Sequence, residues 1–256
     1  MGQEKSGPWV FLAAALLHPL TALWARRSGR GAERIPATGS ALLVLNHVSH
    51  LDPVYDAVFV HRRRRLPHFL AKQQLFRPFL LRQVMVGTGQ IPVYRGSTEA
   101  RDSLRAATTA LAEGKVILIY PEGTITRDPD GWPMRARTGV ARLALTSDVP
   151  VIPMARWGTL DMVDLYRRRF RLSRRGRVST IVGGPVDLSE YRRKPVTNEV
   201  LREVTDLLMR RVTELLAEIR GESPPTTFYR PPTVPHQASP PDEKPIGAPA
   251  EPDVTG

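Results

Sequence analysis

Three short apolar runs constrain the fold of this chain more than any other feature of its sequence. They occupy residues 41–45, 115–120 and 149–154, and none of them alternates between polar and apolar side chains. Runs of this kind are typical of strands buried on both faces of a sheet. Between the first two runs, residues 98–113 place their apolar side chains on one helical stripe. This alternation predicts a single α/β domain with a largely parallel central sheet flanked by helices.

The later part of the chain extends this pattern and then abandons it. Residues 177–182 predict a further strand, and residues 197–220 set apolar side chains three and four positions apart, as in a helix with one buried face. Beyond residue 221 the chain holds 10 of its 24 prolines and has almost no apolar periodicity. We therefore expect a folded domain over residues 31–221 and a disordered proline-rich tail over residues 222–256.

The first 30 residues form a separate, apolar segment. Residues 9–24 are apolar except for His18, Pro19 and Thr21, have a tryptophan at each end, and precede a basic flank. The run is shorter than the roughly 20 residues needed to span a bilayer, and Pro19 is expected to break or kink a helix. Terminal tryptophans and a basic flank favour a helical segment lying in the membrane interface. The pattern also fits a helix packed on the domain, and both interpretations stay open.

Charge and composition narrow the classes of function. The formal charge is +12, and the tail holds two basic and five acidic residues, so residues 1–221 carry +15. This excess predicts an anionic partner. Aromatic residues make up only 7% of the chain, which disfavours a protein that stacks single-stranded nucleic acid. The absence of cysteine excludes disulfide scaffolds, zinc ribbons, iron–sulfur clusters and thiol nucleophiles.

The most reactive pattern follows the first apolar run, at a strand end where α/β sheets collect their ligand sites. His47 and Asp52 are five positions apart, so they would point to different sides of one continuous helix. We therefore expect His47 in a turn and Asp52 near the start of the next helix, where its carboxylate can orient the imidazole as a general base. His47, His50 and Asp52 could instead ligate a metal, although the sequence offers no evident further ligand cluster.

Two other segments bring polar residues to the same edge of the predicted sheet. Glu122 and Gly123 follow the second apolar run, and Arg95 leaves a short strand six residues after Gly89. An arginine can hold a phosphate or carboxylate through two hydrogen bonds, and a glycine lets the backbone approach a ligand closely. Blander interpretations are a helix cap for Glu122 and a solvated surface charge for Arg95.

These residues resemble the motifs of the lysophospholipid and glycerol-phosphate acyltransferase family, and the resemblance covers roughly residues 40–185. Four family motifs are matched in order, at Asn46, His47, Ser49 and Asp52; at Gly89 and Arg95; at Tyr120, Pro121, Glu122, Gly123 and Thr124; and at Val151, Ile152 and Pro153. Ile125 stands where the third motif has an arginine, and Arg127, Arg135 or Arg137 is close enough in sequence to replace it.

The resemblance implies an O-acyltransferase that needs no cofactor and no metal. His47, oriented by Asp52, would take the proton from the free hydroxyl of 1-acyl-sn-glycerol 3-phosphate as that oxygen attacks the thioester of acyl-CoA or acyl-carrier protein. The product would be phosphatidic acid, formed without an acyl-enzyme. The acceptor would be held by five residues: Lys72, Arg95, Glu122, Gly123 and Thr124. The implied partners are the lysophospholipid, the acyl donor and a phospholipid surface, with peripheral or monotopic attachment to the cytoplasmic face of a membrane.

Two alternatives remain. The position of Ile125 keeps open an acyltransferase for glycerol 3-phosphate or for a lysolipid without phosphate. A basic nucleic-acid-binding protein is supported only by the charge, because the sequence has none of the usual nucleic-acid-binding motifs. The run of four arginines at residues 62–65 fits a loop facing anionic headgroups and equally an ordinary solvated loop.

Overall fold

The computed structural model describes residues 7–93, 99–164, 169–170 and 176–232. Its strands are β1 Ala25–Arg30, β2 Ala41–Leu45, β3 Pro67–Lys72, β4 Ile91–Val93, β5 Val116–Ile119, β6 Val151–Trp157, β7 Val163–Asp164, β8 Arg169–Phe170 and β9 Gly176–Val182. Its α-helices are α1 Pro8–Trp24, α2 Asp52–His61, α3 Phe79–Gly87, α4 Glu99–Ala112, α5 Gly139–Leu145, α6 Ser189–Arg192 and α7 Asn198–Arg220. Short 3₁₀ helices occur at Ala32–Arg34 and Gln73–Phe76.

Seven strands form one sheet in the order β1-β9-β6-β2-β5-β3-β4. The five strands from β6 to β4 run parallel, β9 is antiparallel to β6, and β1 is parallel to β9. The three apolar runs are the neighbouring strands β6, β2 and β5 at the centre of this sheet, and every residue of β2 and β5 is buried. The prediction of an α/β domain with a largely parallel central sheet is confirmed.

Helices cover both faces of the sheet, and β2 supplies side chains to each face in turn. Leu42 and Val44 belong to a core shared with α4, α5 and α7, whereas Leu43 and Leu45 belong to a second core that includes Val60 of α2. This alternation follows from the two-residue period of a strand. It also explains why β2 had to be apolar throughout: neither of its faces meets solvent.

The last helix shows how closely capping residues define an element. Thr197 accepts a hydrogen bond from the Val200 amide at the start of α7, and Gly221 ends the helix in the left-handed conformation at φ 68°. These are the preferred residue types at the two ends of a helix. The helix predicted over residues 197–220 is therefore confirmed.

The N-terminal helix α1 continues through Pro19, so the break considered at that proline does not occur. Two contacts hold α1 in place: the Trp9 indole lies where a side chain on Gly87 of α3 would stand, and His18 Nε2 lies 3.0 Å from His61 Nδ1 of α2. Tertiary contacts on both sides of the proline offset the cost of one lost backbone hydrogen bond. Helix α1 thus packs on the domain, while its other side, including Phe11 and Leu23, is exposed.

Strand β1 lies within the 30 residues that the sequence assigned to the apolar segment. All six of its residues pair with β9, at the edge of the sheet. Only Ala25 is buried, because an edge strand outside the core needs no apolar pattern. The sequence of β1 therefore gave no signal from which this strand could be predicted.

Two further details differ from the sequence interpretation. Within residues 222–232, Phe228 packs on the core and the Tyr229 carbonyl accepts a hydrogen bond of 2.9 Å from the Arg135 amide, so the ordered chain extends beyond residue 221. The rest of the predicted tail, residues 233–256, lies outside the described residues. Arg65 is buried, and its guanidinium donates to the carbonyls of Pro36 and Gly39, so this member of the arginine run supports loops and faces no solvent.

Candidate active site

The turn between β2 and α2 brings His47 and Asp52 together as their spacing predicts. The strand ends at Leu45, Asp52 is the first residue of α2, and His47 Nδ1 lies 2.9 Å from Asp52 Oδ2. A carboxylate accepts, so the Nδ1–H donates and the other ring nitrogen, Nε2, carries the lone pair. No hydrogen-bond partner contacts Nε2 within the described residues. The imidazole is therefore held in the tautomer that a general base requires.

The Asp52 carboxylate is buried and is surrounded by donors. Oδ2 also accepts from the backbone amides of Val48 at 2.7 Å and Ser49 at 2.8 Å, and Oδ1 accepts from the hydroxyl of Thr159. Burial alone would raise the pKa of Asp52, but the hydrogen bond and charge of His47, with the Thr159 and Ser49 donors, hold that pKa below its ordinary value. Asp52 is therefore an anion that can stabilise an imidazolium at its side.

The Glu122 carboxyl lies beneath the same turn. It is buried, Oε1 accepts from the His47 amide at 3.2 Å, and Oε2 accepts from the Met134 amide at 2.9 Å. Burial raises the pKa of Glu122 to about 8, against the effect of these hydrogen bonds. Glu122 does not line the cavity that His47 faces. Its carboxyl therefore ties two backbone segments together, in place of the acceptor contact or helix cap considered from the sequence.

Tyr120 supports the face of the His47 ring. The two rings stack with centroids 4.3 Å apart and planes inclined by 21°. The Tyr120 hydroxyl donates to Asp56 Oδ2 at 2.5 Å, and the guanidinium of Arg156 donates to Asp56 Oδ1. All charged members of this network are buried. Burial raises the pKa of Asp56 to about 6, partly offset by the charge of Arg156. The network fixes the plane against which His47 rests.

Several of these supporting residues were not anticipated. Asn46 belongs to the first motif, yet its structural role is to exchange two hydrogen bonds of 2.9 Å with the backbone of Arg156 in β6. Arg156 and Thr159 follow the third apolar run, in the same relation to β6 as His47 to β2. Examining the residues beyond each buried strand, including the third, would have identified them as candidates.

A cavity of about 850 Å³ opens from His47 and runs between α1, α2 and β3. Helix α1 lines it with a stripe from Val10 to His18, and α2 lines it with Val54, Ala57 and His61 among others. Residues at such three- and four-residue spacings share one face of a helix. Most of the remaining wall is apolar, so the cavity suits a hydrocarbon chain.

The lining residues also give the direction of the cavity. Lys72 at the carboxyl end of β3 and His47 lie at one end, whereas Leu66 before β3 and His61 at the last turn of α2 lie at the other. Nine residues of α2 separate Asp52 from His61, a rise of about 14 Å at roughly 1.5 Å per residue. The cavity is thus an elongated apolar channel with the histidine–aspartate pair at its entrance.

Of the residues predicted to bind the acceptor, three lie beside His47. Lys72, Gly123 and Thr124 all line the cavity, and the charge of Lys72 helps to lower the pKa of His50, mainly through burial of that histidine. Gly123 has a φ of 71°, a conformation that favours glycine. Arg95 lies outside the described residues, although Gly89 of its motif is described.

The position that lacks the expected arginine is apolar, and another arginine lies next to it. Ile125 is buried and lines the cavity. The Nε atom of Arg137 lies 3.2 Å from where a side-chain carbon on Gly123 would stand, and the Arg137 side chain is exposed. Among the three arginines considered from the sequence, Arg137 is therefore the one for which the structure gives a contact at Gly123.

The described part of the chain contains no cluster of three His, Cys, Asp or Glu side chains suited to a metal ion. Both oxygens of Asp52 are already engaged by hydrogen-bond donors. What this arrangement can do chemically is remove a proton from a hydroxyl group held between His47 Nε2 and the mouth of an apolar channel.

Comparison with known proteins gives a consistent result. The family model described as Acyltransferase matches residues 26–157. The 1-acyl-sn-glycerol-3-phosphate acyltransferase of Bacillus subtilis (strain 168) is 24% identical over 186 residues, which cover 72% of this chain and 84% of that protein. The enzyme of the same name from Salmonella typhimurium is 27% identical over 186 residues, covering 71% and 70%. The crystal structure of the 1-acyl-sn-glycerophosphate (LPA) acyltransferase PlsC from Thermotoga maritima superposes with a TM-score of 0.62 at 26% identity, covering 81% of this chain and 79% of that one.

Proposed function

The chain belongs to the acyltransferase family and is an O-acyltransferase, and from this premise we propose that it acylates the free hydroxyl of 1-acyl-sn-glycerol 3-phosphate to give phosphatidic acid. The acyl donor is the thioester of acyl-CoA or acyl-carrier protein. The observation that carries the proposal is the His47–Asp52 pair at the mouth of an apolar channel of about 850 Å³. A general base and a hydrocarbon site in contact are what transfer of a fatty acyl group to an alcohol requires.

The proposed reaction balances through His47 alone. Nε2 takes the proton from the acceptor hydroxyl as its oxygen forms a bond to the thioester carbonyl carbon. The tetrahedral intermediate collapses, the carbon–sulfur bond breaks, and the leaving sulfur receives that proton from Nε2. Asp52 stays ionised throughout and stabilises the imidazolium. The absence of cysteine in the chain agrees with direct transfer, and no step calls for a cofactor.

Cations at the mouth of the channel support a phosphorylated acceptor. Lys72 lines this end, and Arg137 lies against Gly123. An arginine can bind a phosphate through two parallel hydrogen bonds, and a lysine contributes a further charge. We propose that Arg137 fills the role for which the family motif uses the residue at position 125, with Arg95 as a further contact. Gly123 and Thr124 complete the acceptor site.

Ile125 is the specific observation that favours a second acceptor class. Its apolar side chain lines the channel where the motif has an arginine, so a lysolipid without phosphate would lose less there than lysophosphatidic acid. The decisive experiment supplies the purified protein with acyl-CoA and acyl-carrier protein as donors. The acceptors are lysophosphatidic acid, glycerol 3-phosphate and neutral lysolipids. A preference for lysophosphatidic acid supports the proposal, and a preference for a neutral lysolipid overturns it.

The exposed apolar side chains of α1 and α3 support attachment to a membrane surface. Phe11, Leu16 and Leu23 on α1 and Phe79 and Leu80 on α3 are exposed. None of the helices in the described residues has the length and apolar content to cross a membrane. We propose peripheral or monotopic attachment through these two helices, at the cytoplasmic face, with residues 25–232 as the catalytic unit and the proline-rich tail beyond it.

Attachment through α1 can be measured directly. Phe11→Ser combined with Leu23→Ser should reduce co-sedimentation with phospholipid vesicles, because it removes two apolar side chains from the proposed contact surface. A matched control is Val196→Ser, which changes an exposed apolar residue outside α1 and α3. Equal binding of the double variant and the wild type would contradict attachment through α1.

A further inference from the structure

A second cavity lies on the other side of α2 from the acyl channel. Its volume is about 370 Å³, and it lies between α2, β1 and β9. Helix α2 and the turn after it contribute Tyr55, Phe59, Arg62 and Arg63, whereas Val54, Ala57 and His61 face the channel. The two cavities therefore share one helix and have separate polar groups. The proposed acyl transfer uses none of the arginines in the second cavity.

The charge of this cavity is unbalanced. Four arginines line it, Arg27, Arg62, Arg63 and Arg156, and no carboxylate side chain does. Arg156 is neutralised by Asp56 in a buried ion pair. For Arg27, Arg62 and Arg63 no carboxylate lies within ion-pair distance in the part of the chain that the structure describes. Three cations thus share one concave surface without a counter-ion from the protein.

Arg27 is fixed in position despite this imbalance. It is half-buried, and its Nη1 donates to the Thr21 hydroxyl at 2.8 Å and to the His18 carbonyl at 3.4 Å. Burial and the neighbouring charge of Arg62 lower the pKa of Arg27. Withdrawing a cation from water beside a like charge is costly unless an anion compensates. The cavity is therefore preorganised for an anion that the chain itself does not supply.

The surroundings of the cavity indicate where that anion comes from. Arg27 follows α1 by three residues, and Leu23, near the end of α1, is one of its most exposed apolar side chains. A helix lying in a membrane interface places its flanking residues at the depth of the headgroups. Arg27, with Arg62 and Arg63 across the cavity, would then be at the level of lipid phosphates.

We propose that the cavity between α2, β1 and β9 binds the phosphate group of an anionic membrane phospholipid, through Arg27, Arg62 and Arg63. This inference rests on the membrane attachment proposed above and goes beyond it, because it assigns a headgroup site separate from the substrate site. The guanidinium groups suit a phosphodiester, whose non-bridging oxygens can each accept a hydrogen bond. Occupation of the site would hold α2, and with it Asp52 and the channel, in a fixed orientation to the bilayer.

The test is co-sedimentation with vesicles of phosphatidylcholine alone and of phosphatidylcholine with one quarter phosphatidylglycerol, at fixed ionic strength. Arg62→Ala/Arg63→Ala should weaken binding to the anionic vesicles by about tenfold or more, since each basic residue near an anionic surface contributes on the order of a fivefold factor. The matched control is Arg193→Ala/Lys194→Ala, which removes two adjacent exposed cations from the loop after α6. We expect the control to change binding less than twofold.

Two further measurements separate a built site from diffuse charge and from free phosphate. Arg27→Lys keeps the charge and loses the planar donor group, so a built site predicts weaker binding to the anionic vesicles by at least threefold. Inorganic phosphate titrated calorimetrically without vesicles should show no saturable binding below about 10 mM, a limit set by its lack of the bilayer contacts that assist the lipid.

Three outcomes would overturn the inference: the control pair weakening binding as much as the arginine pair, the arginine pair behaving as wild type, or saturable phosphate binding that the arginine pair abolishes while vesicle binding stays unchanged. Its failure is distinguishable from failure of the proposed function. Wild-type protein without acyl transfer refutes the reaction and leaves the vesicle measurements intact. Wild-type binding to neutral vesicles without preference for the anionic ones preserves membrane attachment and refutes the headgroup site.

Discussion

Two turns at the carboxyl ends of the adjacent strands β2 and β5 each bury a carboxyl group next to His47, and the two groups have opposite properties. Asp52 receives a hydrogen bond and charge from the imidazole, and its pKa lies below the ordinary value. Glu122 receives mainly neutral backbone amides, and burial raises its pKa to about 8. The difference teaches that burial alone does not make a catalytic carboxylate, because a charged partner is needed to keep it ionised.

The comparison also separates chemistry from support. The Asp52 side chain contacts the reacting group, His47, through its ring, whereas Glu122 contacts the backbone of the same residue. We therefore regard Asp52 as part of the proton-transfer unit and Glu122 as a positioning residue that fixes the turn. Each prediction below tests one side of this division.

The largest expected effect is that of His47→Ala. Loss of the general base should lower acyl transfer by roughly 10²–10⁴-fold, while the thermal unfolding midpoint changes little because the ring lies at the cavity surface. Activity is measured with the preferred donor and acceptor, and folding by circular dichroism. The matched comparison is Glu122→Gln, which should retain far more activity while losing stability. Wild-type turnover in His47→Ala would refute the role of His47.

The next prediction concerns the pH dependence of stability. The unfolded chain loses the Glu122 proton near its ordinary pKa of 4.5, but the native protein keeps that proton until about pH 8. The native state binds more protons across this window, so this residue makes stability fall as pH rises. Asp52 has the opposite sign: its contribution is present above its ordinary pKa of 3.8 and is lost as pH falls through the lower native value.

Denaturant unfolding of Glu122→Gln between pH 5 and 9 checks this sign. At pH 5–6 the variant should be about 1–3 kcal/mol less stable than wild type, because one of two buried amides loses its acceptor. The deficit should shrink toward pH 8–9, where the wild-type carboxyl itself becomes charged in a buried place. In Asp52→Asn the deficit should instead shrink as pH falls below 4. Parallel profiles for the two variants would show that the carboxyl groups do not differ as described.

How far the sequence predicts this site depends on how local each contact is. The pairing of His47 with Asp52 was predictable because both residues lie in one turn, and the central strands were predictable because burial on two faces requires an apolar run. The burial of Glu122 was not, since it depends on which backbone segments meet above β5. Thr159 reaches Asp52 only because β6 is the neighbour of β2 in the sheet, and strand order is not written in local spacing.

The choice between three nearby arginines illustrates the same limit. Arg127, Arg135 and Arg137 all follow the Glu122 turn within 15 residues, and no periodic pattern ranks them. The structure distinguishes them because the Arg137 amide donates to the Pro121 carbonyl at 2.9 Å, which brings its side chain back to Gly123. A single backbone hydrogen bond between distant positions therefore decides which cation is at the channel mouth.

Arg137→Ala should have an intermediate effect on the side of the site that binds the acceptor. Loss of a guanidinium from a phosphate should raise the KM for lysophosphatidic acid by about 10–100-fold, with kcat changed much less because His47 and Asp52 stay in place. The matched control is Arg127→Ala, which removes an exposed arginine with no recorded contact to Gly123. A loss confined to kcat, or equal KM changes in both variants, would contradict the assignment of Arg137.

The smallest effect is expected where Tyr120 supports His47 through its ring. Tyr120→Phe keeps the stacked ring and removes the hydroxyl that donates to Asp56, so acyl transfer should stay within about threefold of wild type while stability falls by about 1 kcal/mol. Tyr120→Leu removes the stack itself, which is worth about 0.5–1.5 kcal/mol for aromatic pairs. We expect kcat to fall by up to about tenfold in this variant with little change in KM.

The pH profile of kcat distinguishes positioning from a merely structural role of Tyr120. If the stacked ring holds His47 against Asp52, Tyr120→Leu should also shift the acidic limb of that profile, whereas Tyr120→Phe should leave the limb where it is in wild type. A uniform loss of activity with an unchanged limb in both variants would mean that Tyr120 only fills space. Because the phenol also contacts Asp56, the Phe variant isolates the hydroxyl and the Leu variant isolates the ring, so the two together assign the effect to one group.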